Sequence, residues 1–204
     1  MKKALLMAAA LFLAPIAAFA ADYQEGVHYT VINEGPGTAK PEITEFFSFF
    51  CPHCFNFQKT VVPKIAERLP EGVAFSQAHV DFIGQQMGVE MSRAFAVANQ
   101  LNVKDKIEPA LFSAIHEKKQ HFTNRADIRA LFVANGVDGK DFDGAADSFM
   151  VNAQMAKMKR DTENAKLSGV PSLVVNGKYR VETGAIKSYD ELLDIAFYLS
   201  TMKQ

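Results

Sequence analysis

Apolar positions follow three rhythms along this chain, and each predicts a different kind of segment. Met1-Lys2-Lys3 is followed by an unbroken apolar run from Ala4 to Ala14, ended by Pro15, with Ala18-Phe19-Ala20 behind it. A short basic start, an apolar core of about 7–15 residues and an A-x-A site make a secretory signal peptide. A membrane span needs about 20 apolar residues, more than this run supplies before its proline. The spacing places cleavage after Ala20, so residues 1–20 are the signal peptide and the mature chain starts at Ala21.

Further on, residues 28–33, 42–50 and 73–80 have strand character. The stretch 42–50 is apolar on both faces, as expected of a central strand covered from both sides. A helix should begin around residues 51–55 and run to Arg68, where Leu69-Pro70-Glu71-Gly72 stops it. From about Met87 to Leu167 the rhythm is helical with short breaks. Ile128, Leu131 and Phe132 form one apolar stripe, ending at Asn135-Gly136. Val151, Met155 and Met158 form another, with Leu167 near its end.

Strand character returns at 172–176 and 179–182, joined by the hairpin signal Asn176-Gly177. A last helix begins at Ser188, where Ser188 and Glu191 suit a capping box and Leu192, Ile195, Leu199 and Met202 make a buried stripe. This order predicts an α/β domain interrupted by a helical block: residues 21–84 and 167–204 form the α/β part, and residues 85–166 the all-helical insertion.

Composition narrows the partners. The chain is 49% hydrophobic and 11% aromatic, so a chain of this length buries a core without disulfide staples. After Ala20 there are 20 basic and 23 acidic side chains and no basic run, which argues against nucleic acid. Lys157, Lys159 and Arg160 lie among Asp161 and Glu163 and read as a solvated helix face. No later segment is long and apolar enough to span a bilayer. The mature protein is therefore expected to be soluble in an oxidising compartment, and the two-lysine leader looks bacterial, which points to the periplasm.

Two cysteines, both in Cys51-Pro52-His53-Cys54, are then more readily explained by use than by structure. After a strand and at a helix start, the first sulfur meets unpaired backbone N–H groups and the positive end of the helix macrodipole. One helical turn keeps the sulfurs close enough to bridge. Cys51 is expected to be the exposed nucleophile with a depressed pKa, Cys54 the resolving thiol, and His53 a further source of positive charge or a hydrogen bond. A thiolate pKa near 4 would favour the reduced form by roughly 4 kcal/mol at pH 7, or roughly 85 mV, and would make the disulfide an oxidant. A static disulfide gains little from so short a loop. A c-type haem site needs a histidine where Phe55 stands, and His28, His79, His116 and His121 show no paired spacing for zinc. A cysteine hydrolase has no use for the second thiol. No cofactor is expected beyond the Cys51–Cys54 disulfide itself.

The run Glu45-Phe46-Phe47-Ser48-Phe49-Phe50-Cys51-Pro52-His53-Cys54, with Gly169-Val170-Pro171 far downstream, resembles the bacterial DsbA family of periplasmic disulfide-donating enzymes. The resemblance covers essentially the whole mature chain. It implies a thioredoxin-like fold with a helical insertion, in which a cis Pro171 faces the dithiol and the backbone at Val170 pairs with an extended substrate peptide. Without it, Pro171 reads equally as a trans proline opening the strand at 172–175.

Glu45 also has two readings: a strand-edge glutamate that reaches water, or a buried carboxyl of raised pKa that exchanges protons with Cys54. In the family a lysine on the next strand commonly pairs with this glutamate. Here that place holds Gln77, so Glu45 should stay protonated to higher pH.

The family further implies substrates that are newly exported or unfolded proteins with free thiols, and a membrane reoxidant of the DsbB type. With both cysteines in one motif, a monomer is the default. Phe46, Phe47, Phe49 and Phe50, with Met87, Met91, Met155 and Met158, read mainly as core, and a shallow apolar groove is expected beside the dithiol. The rivals are a reductase or isomerase of the same fold, and a non-catalytic chaperone that would survive Cys51→Ser.

Overall fold

The computed structural model describes residues 23–202, so the signal peptide read at residues 1–20 lies outside the described residues. Within them five strands, β1 (Tyr29–Val31), β2 (Glu42–Phe47), β3 (Ala74–His79), β4 (Ser172–Val175) and β5 (Tyr179–Val181), form one sheet in the order β1-β5-β4-β2-β3. Second from one edge, β2 pairs in parallel with the edge strand β3 and antiparallel with the central strand β4. A parallel pair needs a crossover long enough to return the chain. The helices α1 (Pro52–Thr60) and α2 (Val62–Arg68) supply it. The hairpin β4–β5 (Tyr179–Val181) extends the sheet, and β1 (Tyr29–Val31) closes its far edge against β5.

Two expectations from the apolar pattern are corrected. The strand expected over 42–50 ends at Phe47, because the next residues spend their backbone groups on a turn. Ser48 carbonyl accepts the Cys51 N–H at 3.0 Å, and Ser48 Oγ accepts the Phe50 N–H at 3.2 Å. Phe49 stays buried although it has left the strand. The single helix expected up to Arg68 is two, parted at Val61. Pro63 in the first turn of α2 has no N–H to give to the preceding turn, and its ring crowds the carbonyl there.

The hairpin is a tight turn with both central residues left-handed, Asn176 at φ 55° and Gly177 at φ 61°, and the Lys178 N–H returning to Val175 O at 3.0 Å. Asn176 is fully buried: its Oδ1 accepts the Glu42 N–H at 2.9 Å, pinning the hairpin to the start of β2. The last helix, α8 (Tyr189–Thr201), starts at Ser188, whose Oγ accepts the Glu191 N–H at 3.1 Å. The Glu191 carboxylate reaches the Lys187 N–H at 2.7 Å instead of that of Ser188, so the capping is shifted by one residue at its second bond.

Between β3 and β4 the chain is helical: α3 (Gln86–Gln100), α4 (Lys104–His116), α5 (Arg125–Ala134), α6 (Gly139–Ala146) and α7 (Phe149–Asn164). The sheet therefore separates two cores. Toward the helical block, Phe46, Phe47 and Phe49 meet Met91, Phe95, Phe112, Phe132, Val151 and Met158. On the other side Ile43, Phe57, Ile65, Leu173 and Val175 meet Leu193, Ile195 and Leu199 of α8. Met87 and Met155 pack at the rim of the first core. The dithiol sits at the end of β2 and belongs to that first core.

Candidate active site

Cys51 occupies the position of a helix N-cap. Its backbone is extended (φ −90°, ψ 116°), Pro52 stands at the first helical position, and its Sγ accepts the Cys54 N–H at 3.3 Å. An N-cap serine oxygen would make the same bond, so the helix start that stabilises an anion is here aimed at a sulfur. The expected exposure of Cys51 needs correcting: it is 7% exposed and Cys54 0%, while Pro52 and His53 lie in the open. Both cysteines are free thiols in this structure.

The two sulfurs are driven apart in acidity. The Cys54 thiol donates to Cys51 and is the largest influence holding the Cys51 pKa down to about 6; burial opposes it, and the Cys54 and His53 backbone N–H groups and the His53 charge assist. Cys54 is pushed far up, because ionising it would break that donation and bury a second charge. At pH 7 a pKa of about 6 in place of 9 favours the reduced form by about 1.4 kcal/mol, or ~30 mV, before water at the sulfur's open edge is allowed for. The gain is smaller than a pKa near 4 would bring, because burial offsets part of what the hydrogen bonds contribute.

Val170 and Pro171 come to the dithiol from across the sequence. The Cys51 S–H faces Val170 O at 3.4 Å, and the Val170–Pro171 peptide is cis. Ser172 Oγ donates to Gly169 O at 2.7 Å and holds this loop in shape.

Beneath the dithiol, Glu45 is 1% exposed, and its register partner on β3 is Gln77. Gln77 Nε2 lies 2.9 Å from Glu45 Oε2, 3.0 Å from Gln58 Oε1 and 3.1 Å from Glu108 Oε1. Burial, resisted by the Gln77 bond and reinforced by the nearby Glu108, raises the Glu45 pKa to about 8. Glu108 is also buried, also shifted upward by burial, and paired with Lys104 at 3.6 Å.

Sequence reasoning missed Glu108 and Gln58, and it weighed two histidines only as metal ligands. His79 and His116 hold the two backbone polar groups of one residue, Phe49, just ahead of Cys51. Phe49 N–H donates to His79 Nε2 at 3.0 Å, and His116 Nε2–H donates to Phe49 O at 2.8 Å. The bare Nε2 of His79 puts its proton on Nδ1, which donates to Ser92 Oγ at 2.8 Å. Burial holds this imidazole neutral, with its pKa lowered to about 3. His116 also stacks on Phe55 of α1, with ring centroids 5.1 Å apart and planes 11° from parallel.

Beside α1 runs a cleft of about 360 Å³ lined by Thr183, Ile186, Lys187, Ser188, Tyr189 and Leu192. Tyr189 packs edge-on against Phe57, which ties the cleft to the helix that carries the dithiol. Among the described residues no helix is long and apolar enough to cross a membrane.

Comparison with known proteins agrees with this arrangement. Residues 42–194 match the DSBA-like thioredoxin domain family. The thiol:disulfide interchange protein DsbA of Escherichia coli K12 is 37% identical, over 100% of this chain and 97% of that one. The protein of the same name from Pectobacterium carotovorum is 38% identical, over 91% and 92%. A Proteus mirabilis DsbA solved with a non-covalently bound peptide PWATCDS superposes with a TM-score of 0.81 at 34% identity, covering 89% of this chain and 100% of its own. The Pseudomonas aeruginosa DsbA superposes at 0.77 with 30% identity, covering 89% and 94%.

Proposed function

This chain belongs to the DsbA-like thioredoxin family and is a thiol:disulfide oxidoreductase, and we propose that Cys51 and Cys54 are its redox centre and that it donates their disulfide through Cys51. The observation that carries this assignment is the asymmetry of the pair: one sulfur capped by the N–H groups of a helix start and acidic, the other fully buried and donating to it.

The chemistry then runs in two exchanges. A substrate thiolate attacks Cys51 Sγ of the Cys51–Cys54 disulfide, forming a mixed disulfide and expelling Cys54 as a thiolate. Cys54 takes up a proton, for which the neighbouring Glu45 carboxyl is the donor. A second substrate thiolate attacks the substrate sulfur of the mixed disulfide, closing the substrate disulfide and releasing Cys51. The better leaving group is the sulfur of lower pKa, and that sulfur is Cys51. The substrate thiols lose two electrons and two protons; the enzyme pair takes both electrons, one proton replaces that given to Cys54 through Glu45, and the other stays in solvent while Cys51 is a thiolate. No cofactor enters.

Pro52 fixes the first helical residue, and His53 adds an N–H and charge beside Cys51. An extended substrate peptide pairs with the backbone at Val170 beside Pro171, and its apolar side chains lie in the cleft under Tyr189. That the Proteus mirabilis relative was solved with a non-covalently bound peptide supports a peptide-binding role for this chain. The substrates are exported proteins with free thiols in the periplasm. A membrane protein of the DsbB type reoxidises the dithiol, and the enzyme works as a monomer.

The test is the equilibrium of the Cys51–Cys54 pair against glutathione, with the thiolate followed by its ultraviolet absorbance. A potential well above about −180 mV supports a disulfide donor, and one near about −270 mV overturns it in favour of a reductant. Retention of activity by Cys51→Ser would instead point to a chaperone.

A further inference from the structure

The buried amide of Gln77 is short of protons on one side and short of a partner on the other. Its nitrogen carries two hydrogens but faces three acceptors, Glu45, Gln58 and Glu108, all within 3.1 Å. Its oxygen is buried with no hydrogen-bond partner among the described residues. A buried polar group left this way calls for an explanation. Two hydrogens cannot serve all three acceptors, and the shortfall closes if one carboxyl keeps its proton, since that group then needs no donor. The idle amide oxygen is what a carboxylic acid would use if the amide were turned end for end, so Gln77 can face either protonation state with the matching atom.

Glu108 reaches this cluster from α4, in the helical block, and no feature of the dithiol motif accounts for it. Its side chain is 3% exposed and its counter-ion Lys104, one turn earlier on α4, is 31% exposed. The charged and titratable groups that face the cluster are Cys51 and Cys54 from the start of α1, Glu45 from β2, and Lys104, Asp105 and Glu108 from α4. Gln58 and Gln77 are the neutral members.

We propose that Glu45 and Glu108 form a coupled acid pair centred on Gln77, in which Glu108 is a positioning residue that keeps a proton on Glu45 for the departing Cys54 sulfur and Lys104 tunes how long it stays. When Cys54 leaves Cys51, its thiolate takes the Glu45 proton, giving a Cys54 S–H bond and a Glu45 carboxylate that the Gln77 N–H groups then hold. Glu45 is reprotonated from solvent before the next turnover. The inference rests on the reading of Glu45 as the proton donor. It adds that the pH at which this donor fails is set from the helical block, by a negative and a positive group of opposite effect. Like charges cannot both ionise cheaply at such range, so the negative charge of Glu108 raises Glu45 while the positive charge of Lys104 lowers it.

The experiment uses the full mature chain in its disulfide form, in which no cysteine titrates. Reduction by dithiothreitol is followed from pH 6 to pH 10, on the order of two units either side of the carboxyl's raised range, with each rate divided by the reductant's thiolate concentration. The unaltered protein should lose rate through a limb somewhat below the pH of about 8 that Glu45 has beside the free thiols, since the Cys51 charge that adds to it is absent in the disulfide. Glu108→Gln should move that limb down by about one pH unit and Lys104→Met should move it up, because they remove charges of opposite sign. Limbs that coincide with the unaltered protein, or that both move the same way, overturn the proposal. Glu45→Gln separates the two layers: loss of its limb with no shift in the other variants leaves Glu45 acting alone, and a limb that survives it removes the Glu45 reading as well. Should Glu108→Gln fail to fold, Lys104→Met carries the test by itself.

Discussion

Replacing Cys54 by alanine should raise the pKa of Cys51 toward the range of an ordinary thiol, and replacing it by serine should not. The Cys54 thiol is the largest influence holding Cys51 down to about 6, ahead of the backbone N–H groups and the His53 charge. A hydrogen bond to a charged group contributes about 1.5–3 kcal/mol, which is about 1–2 pH units at the usual conversion. Alanine removes that donor and leaves the Cys54 N–H, 3.3 Å from the sulfur, in place. The pKa should therefore settle at about 7–8. Serine keeps an O–H at the same point in the first turn of α1 and should hold the value near the original. The assay is the ultraviolet absorbance of the single remaining thiolate against pH, with thermal unfolding as a check that each variant is folded. If the alanine variant titrates with the unaltered protein, the helix start and His53 hold the charge unaided and the argument from the paired sulfurs is wrong.

Burial and backbone crowding lead to two further outcomes. In the disulfide form, stability should fall as pH rises from about 6.5 to about 8, because the folded Glu45 keeps a proton that the unfolded chain has released, whereas between about 4.5 and 6.5 the buried neutral His79, which takes up a proton on unfolding, offsets it; urea midpoints for Glu45→Gln should lose most of the fall above pH 6.5. Gly88→Ala should cost about 1–3 kcal/mol in the same titration, since a Cβ there would run into the carbonyls of Asp81 and Ile83, which wrap over the first turn of α3; an unchanged midpoint would show that this loop yields freely.

What could be read ahead of the structure was what is local. The dithiol, the left-handed Asn176-Gly177 turn and the stripe of α8 each depend on residues a few positions apart, and each lies where its pattern put it. The strand extended too far, past Phe47, has a different origin. Phe49 and Phe50 are apolar because they pack against the helical block, and rings can be buried from a turn as well as from a strand. Pro63 was present to announce the break at Val61, but the apolar rhythm of 51–68 carries through it. Gln77 could be placed opposite Glu45 by aligning strands, whereas Glu108 could not, since on α4 it occupies an inward helical position where any residue of that size would fit the period. His79 and His116 were equally silent. Their partners are the backbone N–H and C=O of Phe49, and no spacing between histidines signals a residue held from both sides.

The placement of β4 beside β2 has a consequence for synthesis of the chain. Ile43 pairs with Val175, and Cys51 faces Val170, 119 positions later. A growing polypeptide thus presents both thiols long before the strand and loop that complete their surroundings exist. Over that interval the helices from α3 to α7 can form from near neighbours, while the sheet waits for its last strands. The nascent protein carries its cysteines without the finished site, and for that time it stands in the position of the unfinished chains it is built to oxidise.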